Sequence, residues 1–222
     1  MLQTPFLVCL GAGGVVAGIS AWFGWKNLKQ AEVLKNPVAF ARLSANVGRA
    51  VALSGRPENL YEGNDPTRRA HIYFKRIHEH YRRGAGNKGG RWVTDGTEEW
   101  LQEFALHGDG GTVRVADRPT EVHGTTNTSD RDGGGLFSEE KRIRTEAIEA
   151  RVPLVTVCGK LSRQGEGFRI TADPELGLLL STYGSAGAAA MEATKGWVGL
   201  VVVPLVWAVA CAVLFLAKAT PA

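Results

Sequence analysis

The chain has 222 residues and a formal net charge of +4. This length is sufficient for one domain with its own core, and the charge excess is weaker than the dense basic patch of a typical nucleic-acid-binding domain. Of the three cysteines, only Cys158 lies outside the apolar ends of the chain, so an internal disulfide framework is excluded.

The N-terminal end is apolar, with no charged side chain from Met1 to Trp25. At a rise of about 1.5 Å per residue, such a run forms a helix roughly as long as a bilayer's hydrocarbon core is thick. Because a basic n-region is lacking, we interpret residues 5–25 as an uncleaved transmembrane helix rather than a signal peptide. Gly14 and Gly18 are one helical turn apart and favour close helix packing, either against a second anchor or between copies of the chain.

Residues 26–45 follow as a predicted juxtamembrane linker, partly helical before Pro37. Lys26, Lys29 and Lys35 favour a cytoplasmic polar middle, but the positive-inside rule is weak for a long loop. The sequence therefore leaves the side of the membrane open.

Residues 46–185 are predicted to form a β-rich domain, because short β-branched and aromatic runs alternate with Gly, Pro, Asn and Asp turns. The predicted strands are residues 47–54, 71–82, 91–94, 103–107, 112–116, 152–161, 168–172 and 176–182. Strands at a spacing of about ten residues indicate a small antiparallel barrel or sandwich, an OB-like fold.

Three further segments complete the prediction. Residues 121–137 are rich in Gly, Ser, Thr, Asn and Asp and are predicted to form a mobile loop, while residues 138–150 suit a short helix or an exposed strand. Residues 186–194 predict a helix that leads into a second charge-free transmembrane helix, residues 196–217. The predicted fold class is therefore a membrane protein with two transmembrane helices flanking a mainly-β domain.

His78 and His80 are the only metal-ligand pattern in the domain. On a strand, residues i and i+2 share a face, so the two imidazoles could share a metal ion with His71, His107 or His123 as a third ligand. The alternative is a polar strand face beside neighbouring arginines. The spacing favours the polar face, and we assign no metal-binding residue.

No catalytic or cofactor motif is complete. The glycine-rich segment 84–90 does not end in the Lys-Ser/Thr of a phosphate loop, and Ser54 lacks the flanking glycines of a nucleophile elbow. We therefore assign neither catalytic nor cofactor-binding residues and expect no cofactor.

Basic residues alternate with aromatic residues between positions 68 and 92. They are Arg68, Arg69, Lys75, Arg76, Arg82, Arg83, Lys88 and Arg91, interleaved with Tyr73, Phe74, Tyr81 and Trp92. This pattern occurs in single-strand nucleic-acid binders, but it equally suits a solvated sheet face or contact with lipid headgroups. With anchors at both ends, we favour lipid or protein contact and expect no nucleic acid.

Several of these segments together match the pattern of a known family. They are Val51–Gly55, His71–Phe74, Trp92, the hairpin residues Phe104, Leu106, Gly111, Val113 and Val115, the late segment Glu146, Val155, Val157, Gly159 and Leu161, and the strands Gly167–Ile170 and Leu178–Ser181. With the two-anchor layout, they resemble the GIDE domain, also called the "beside a membrane" domain. This domain is the membrane-side module of two-pass mitochondrial and chloroplast RING-type ubiquitin ligases and has prokaryotic relatives.

The chain departs from the family pattern at three places. Gly108 stands at the usual aspartate of the hairpin, and Arg151-Val152-Pro153 stands where the family often has a glycine. A RING domain needs about eight Cys and His ligands, and the residues from Lys218 to Ala222 contain none. The resemblance therefore implies the membrane-side module without ligase chemistry.

The expected function is that of a membrane-anchored, non-catalytic binding or scaffolding protein, which presents the β-rich domain to a protein, peptide or lipid ligand. The alternative is a ubiquitin-ligase-like protein or ligase subunit that acts with a RING partner. The expected partners are the bilayer, another protein and, through Gly14 and Gly18, a second copy of the chain.

Overall fold

The computed structural model describes residues 4–82, 90–132 and 140–219. The helices are α1 (Thr4–Lys35), α2 (Pro66–Ala70), α3 (Gly184–Trp197) and α4 (Val203–Ala219), with a 3-10 turn at Phe40–Asn46 and a π-helical turn at Val198–Val202. The strands are β1 (Ala50–Asn59), β2 (His71–Arg82), β3 (Arg91–Leu101), β4 (Phe104–Gly108), β5 (Gly111–Val115), β6 (Glu121–His123), β7 (Thr126–Asp132), β8 (Lys141–Glu149), β9 (Val155–Gln164), β10 (Gly167–Thr171) and β11 (Leu179–Ser181).

The chain divides into two compact units. The β unit spans Pro37–Ser185, and the helical unit holds the segments on either side of it, up to Asn36 and from Ala186. The predicted domain 46–185 therefore ends where the β unit ends, while the β unit begins earlier, inside the predicted linker.

Five strands of the β unit close into a barrel in the order β1-β4-β5-β10-β9-β1. Numbered along the chain, this is the order 1-2-3-5-4-1 of an OB-like barrel. The predicted small barrel is confirmed, and its pairings are antiparallel except at one junction, where β5 and β10 run parallel. A parallel neighbour needs a long crossover, which the insertion between β5 and β9 supplies.

β1 closes the barrel by pairing with two strands in succession. Its first half, Ala50–Gly55, pairs with β9, and its second half pairs with β4 from Arg56 onward. A Cβ at Gly55 would lie 2.3 Å from the carbonyl oxygen of His107. Glycine is therefore required where the strand passes from one partner to the other.

The barrel core follows the period of two that strands impose. In β5, Val113 and Val115 are fully buried whereas Thr112 and Arg114 are exposed. The same alternation fills the interior from all five strands with Val51, Leu53, Phe104, Leu106, Val113, Val115, Val155, Val157, Leu161 and Ile170.

A second sheet of four antiparallel strands, in the order β3-β2-β8-β7, is built from the two insertions in the barrel. Ile72, Tyr73 and Ile148 at its root belong to the barrel core. The predicted bounds of β2 are confirmed at His71–Arg82, and residues 141–149 form a strand rather than a helix, exposed over its first half and buried at Ala147 and Ile148.

The prediction of a mobile loop at residues 121–137 is wrong at ten of its first twelve positions. Residues 121–123 form β6 and residues 126–132 form β7, while residues 133–137 lie outside the described part of the chain. The sequence of β7 resembles that of a loop because β7 is a polar edge strand. Its backbone pairs with β8 from Thr126 to Asp132, but it contributes no apolar face that a sequence pattern could reveal.

In the helical unit, α1 runs past the predicted anchor to Lys35, because residues 26–35 contain no helix breaker. It ends just before Pro37, whose ring disfavours helical geometry in the preceding residue. The helix predicted before Pro37 is therefore confirmed, and it is continuous with the apolar segment. The predicted helix at 186–194 is confirmed as part of α3.

Glycines allow α1 to approach the C-terminal helices closely. A Cβ at Gly24 would lie 2.6 Å from the backbone nitrogen of Leu200, and one at Gly199 would lie 2.7 Å from the carbonyl oxygen of Ser20. The π-helical turn occurs at this contact, where the Val203 N–H donates to the Val198 carbonyl. Pro204 explains the turn, because it has no N–H for the normal bond to Leu200.

One continuous helix is long and apolar enough to cross a membrane. It spans Gly184–Val213. Its most apolar stretch has a mean hydropathy of 2.3 and is only 6% buried. The described residues do not show a second span, so the transmembrane helix at residues 5–25 stays a prediction.

Helix pairing in this unit is predicted to depend on Gly24. Gly24→Leu introduces a side chain against the backbone of the opposite helix and is expected to destabilise the pair by about 1–3 kcal/mol. Val16→Leu is the control, since Val16 lies on the same helix and is 56% exposed. Thermal unfolding of both variants in detergent, followed by circular dichroism, compares them. Equal melting temperatures would contradict the close packing described here.

Candidate functional site

An open cleft of about 540 Å³ lies at the far end of the second sheet, away from the barrel core. Its lining is charged and of mixed sign: His78, Glu79, Asp95, Asp130, Arg131, Lys141, Arg142 and Ile143. Of these residues, the sequence singled out only His78, as a candidate metal ligand.

Strand register and a bulge bring these side chains together. Glu79 lies opposite Arg142, and Asp130 lies opposite Ile143. On the other side of β2, His78 pairs with Gly96 and Glu79 with Thr94, so Asp95 is the extra residue of a β-bulge. A bulge redirects the side chain of its extra residue, and here it directs Asp95 toward the cleft.

Glu79 is the buried centre of the cleft, at 7% exposure. Its carboxylate accepts a hydrogen bond from Arg142 Nε at 2.7 Å and forms an ion pair with Arg144 Nε at 3.1 Å. Such charge-assisted bonds are short and strong. They tie β2 to β8 through side chains as well as through the backbone ladder.

Trp92 holds Arg142 from the other side. The guanidinium lies 4.3 Å from the centre of the Trp92 ring, and that ring packs edge-on against Tyr81 at 5.4 Å. Arg142 is thus fixed between a carboxylate and an aromatic face. One wall of the cleft is therefore rigid before any ligand arrives.

Three of the five histidines considered as metal ligands contact other groups. His80 Nδ1 lies 2.6 Å from Asp95 Oδ1. His71 Nδ1 lies 2.9 Å from the carbonyl oxygen of Thr67, and His107 contacts Glu58 and Thr112. Over residues 4–82, 90–132 and 140–219, no group of three or more metal-ligating side chains includes His78 or His80. The contact of His80 with Asp95 is of the kind that a polar strand face makes.

The described residues that line the cleft offer carboxylate, guanidinium, ammonium and imidazole groups to a ligand. Cys158 is fully buried in β9, and the hydroxyl of Ser54 is hydrogen-bonded to Thr156 Oγ1 at 2.8 Å. The charged groups can instead form ion pairs and hydrogen bonds with a partner of mixed charge.

The basic and aromatic residues noted in the sequence stack on one another. Phe74 stacks on Trp100 at 5.3 Å, with Arg76 on Phe74 at 5.0 Å and Arg68 on Trp100 at 5.7 Å. These aromatic faces are therefore occupied by the protein's own side chains, which sequence spacing could not reveal because Trp100 comes from β3.

A second cluster fixes the root of the sheet. The Tyr73 hydroxyl donates to Glu99 Oε1 at 3.1 Å, and Arg118 Nη2, from the segment after β5, donates to Glu99 Oε2 at 2.7 Å. Burial of the Glu99 carboxyl raises its pKa, but the hydrogen bonds from Arg118 and Tyr73 outweigh burial and leave the pKa below its ordinary value. Burial and the nearby Glu99 charge raise the pKa of Tyr73, and Glu99 raises that of Arg118.

The missed cleft residues carry one signal in the sequence. Asp130 and Arg131 lie in β7, and Lys141 and Arg142 lie in β8. A prediction that these two segments are paired strands would place the four residues close together. Asp95 has no such signal, since a bulge depends on register with the neighbouring strand.

No protein-family model, curated protein or solved structure matches this chain. The resemblance to the GIDE domain, and the ligase-like alternative that rests on it, therefore stay predictions.

Glu79→Gln is predicted to destabilise the β unit strongly. It leaves Arg142, at 17% side-chain exposure, without its charge partner, and removal of one member of a buried pair costs about 3 kcal/mol. The matched control is Glu98→Gln, whose exposed pair with Arg76 spans 3.9 Å and is worth less than about 1 kcal/mol. Urea unfolding of the full chain in detergent measures both. An equal loss of unfolding free energy in both variants would show that the buried Glu79 ion pair does not stabilise the β unit more than an exposed pair does.

Glu99→Gln is predicted to cost about 1–2 kcal/mol at neutral pH, because two charge-assisted hydrogen bonds are weakened. Since the folded pKa of Glu99 lies below its ordinary value, its stabilisation is present above the unfolded pKa of about 4.3. It is lost as pH falls through the folded pKa. The difference in melting temperature between wild type and variant should therefore persist down to about pH 4.5 and shrink below it. A difference independent of pH would contradict this assignment.

Proposed function

We propose that this protein is a two-pass, membrane-anchored, non-catalytic scaffold whose β unit binds a protein partner through the charged cleft of the second sheet. The observation that carries the proposal is the presence, in one chain, of a membrane-length helix and a folded unit with a preorganised charged cleft. Preorganised side chains reduce the entropy that binding must offset.

The helical unit supports the membrane part of the proposal by the apolar surface that it exposes. Side chains that are more than half exposed occur on both α1 and α4: Val15, Val16, Ile19, Leu205, Val206, Val209 and Val213. Soluble proteins seldom expose contiguous apolar patches of this kind, whereas a lipid environment favours them.

Aromatic residues mark one end of the helical unit. Trp22, Trp25 and Trp197 are all exposed, and Lys29 lies 3.9 Å from the ring centre of Trp25. Tryptophan with nearby lysine is typical of the membrane–water interface. Trp22 and Trp25 lie on α1, so this belt supports α1 as the second span.

Self-association through Gly14 and Gly18 remains part of the proposal. A Cβ at either glycine meets nothing within 4 Å, whereas one at Gly13 would meet the ring of Trp207. Gly14 and Gly18 are therefore free to contact another helix, and Gly18→Leu should lower any dimer fraction in detergent.

The charge pattern of the cleft supports a protein or peptide partner. Acidic and basic side chains both line it, so a partner of complementary mixed charge fits better than a uniformly charged polymer.

The topology is tested in sealed vesicles that contain the full chain with a tag at each terminus. Two spans place both tags on one side, so added protease should remove both or neither, and an epitope in the β unit should behave oppositely. Digestion of one tag only would show a single span. Release of the chain from membranes by carbonate at pH 11 would overturn the membrane assignment itself.

The same vesicles test the cleft by photo-crosslinking from a probe at position 128, on the edge strand β7. A specific partner should lose about tenfold in yield with the charge reversals Lys141→Glu and Asp130→Lys. Arg163→Glu, an exposed charge reversal at the end of β9, is the control and should retain the yield. A partner that all three variants retain equally would show that the cleft is not its binding site.

A further inference from the structure

Two arginines face each other on the outside of the barrel. Arg114 in β5 and Arg169 in β10 are register partners on parallel strands. Val113, Val115 and Ile170 beside them are fully buried, so both arginines extend from the opposite, outward face of the sheet. Neighbouring strands are about 4.8 Å apart, which brings the two guanidinium groups within reach of one small ligand.

The protein neutralises this pair only in part, since Glu58, Glu62 and Glu103 line an open pocket together with Arg114. Like charges directly opposite each other destabilise a sheet, and the ion pair of Arg114 with Glu103 is long, at 4.0 Å, with Arg114 62% exposed. Over the part of the chain that the structure describes, the Arg169 side chain has no hydrogen bond or ion pair, and its Nε is buried without an acceptor. A buried donor without an acceptor is rare in native structures.

The surrounding strands extend the positive charge. Lys160 in β9 lies opposite Thr171, one outward position along from Arg169 and its partner Ser162. The sequences of β5, β9 and β10 together contain no Asp or Glu. The outer face of these three adjacent strands is therefore cationic, with Arg169 on the middle strand β10 and Arg114 on β5, next to the glutamates of the neighbouring pocket.

We propose that Arg114 and Arg169 form a phosphate-binding site, in which one phosphate group bridges the two guanidiniums and Lys160 adds charge. The planar fork of arginine matches two phosphate oxygens at once. A bound dianion would relieve the repulsion between the arginines and would give the unpaired guanidinium of Arg169 an acceptor. The site lies on barrel strands, separate from the cleft of the second sheet, and does not depend on the function proposed for that cleft.

The phosphate has two possible sources, a soluble phosphate and the headgroup of a lipid. The test uses the full chain in a phosphate-free maltoside detergent at constant ionic strength, with calorimetric titration. One arm adds inorganic phosphate, and the other adds dihexanoyl phosphatidic acid, with dihexanoylglycerol as its phosphate-free control. Acetate in a further titration tests whether any small anion suffices.

Saturable binding in either phosphate arm supports the site, and the tighter arm identifies the source. Arg114→Gln and Arg169→Gln should each weaken that binding by about tenfold or more, whereas the control Arg163→Gln, at the exposed end of β9, should not. Without phosphate, Arg169→Gln should melt at the same temperature as wild type or higher, because repulsion is removed. A purely structural arginine would instead lower the melting temperature.

Three results would overturn the proposal: no saturable binding in either phosphate arm, equal binding of acetate and phosphate, or equal loss with the Arg163→Gln control. The last result would indicate a general effect of net charge. These results do not affect the proposal for the charged cleft of the second sheet, which is tested with Lys141→Glu and Asp130→Lys.

Discussion

The pairing of β1 with both β4 and β9 is the constraint on which the β unit depends. It closes the barrel, and it is possible only because Gly55 allows the backbone of His107 to approach within a distance that no side chain would tolerate. Closure removes the exposed edges of the five barrel strands. It also places the two insertions, one after β1 and one after β5, so that their strands can meet.

The second sheet follows from that closure. β2 and β3 come from the first insertion, β7 and β8 from the second, and the central ladder between β2 and β8 joins segments more than sixty residues apart. At the root of the sheet, Ile72, Tyr73 and Ile148 share the barrel core, and Glu99 links β2, β3 and the segment after β5. At the far end, the ion pair between Glu79 and Arg142 links β2 to β8. The second sheet is therefore fixed by side-chain contacts at its root and at its far end, where the cleft lies.

Parts of the fold were predictable because their signal is local. The aromatic run of β2, the β4–β5 hairpin and the apolar β9 each show the alternation and turn residues of their own segment, and their predicted positions agree with the structure. β7 and the second half of β3 were not predictable, because polar edge strands lack an apolar face and depend on a partner for their hydrogen bonds. For the same reason the sequence did not predict the cleft. His78 was considered only as a metal ligand, because Asp95 and Asp130, which line the cleft with it, come from those two strands.

Composition along the chain by itself determined that an apolar helix follows the β unit and that strands separated by turns dominate the middle, since hydrophobicity and β-propensity are properties of each segment. The tertiary structure alone decided which strands became neighbours. It thereby created the charged cleft and the arginine pair. Arg114 and Arg169 are 55 residues apart, and Glu79 and Arg142 are 63 residues apart. Their proximity arises from strand register, a long-range property set by core packing and backbone hydrogen bonds, which no local pattern encodes.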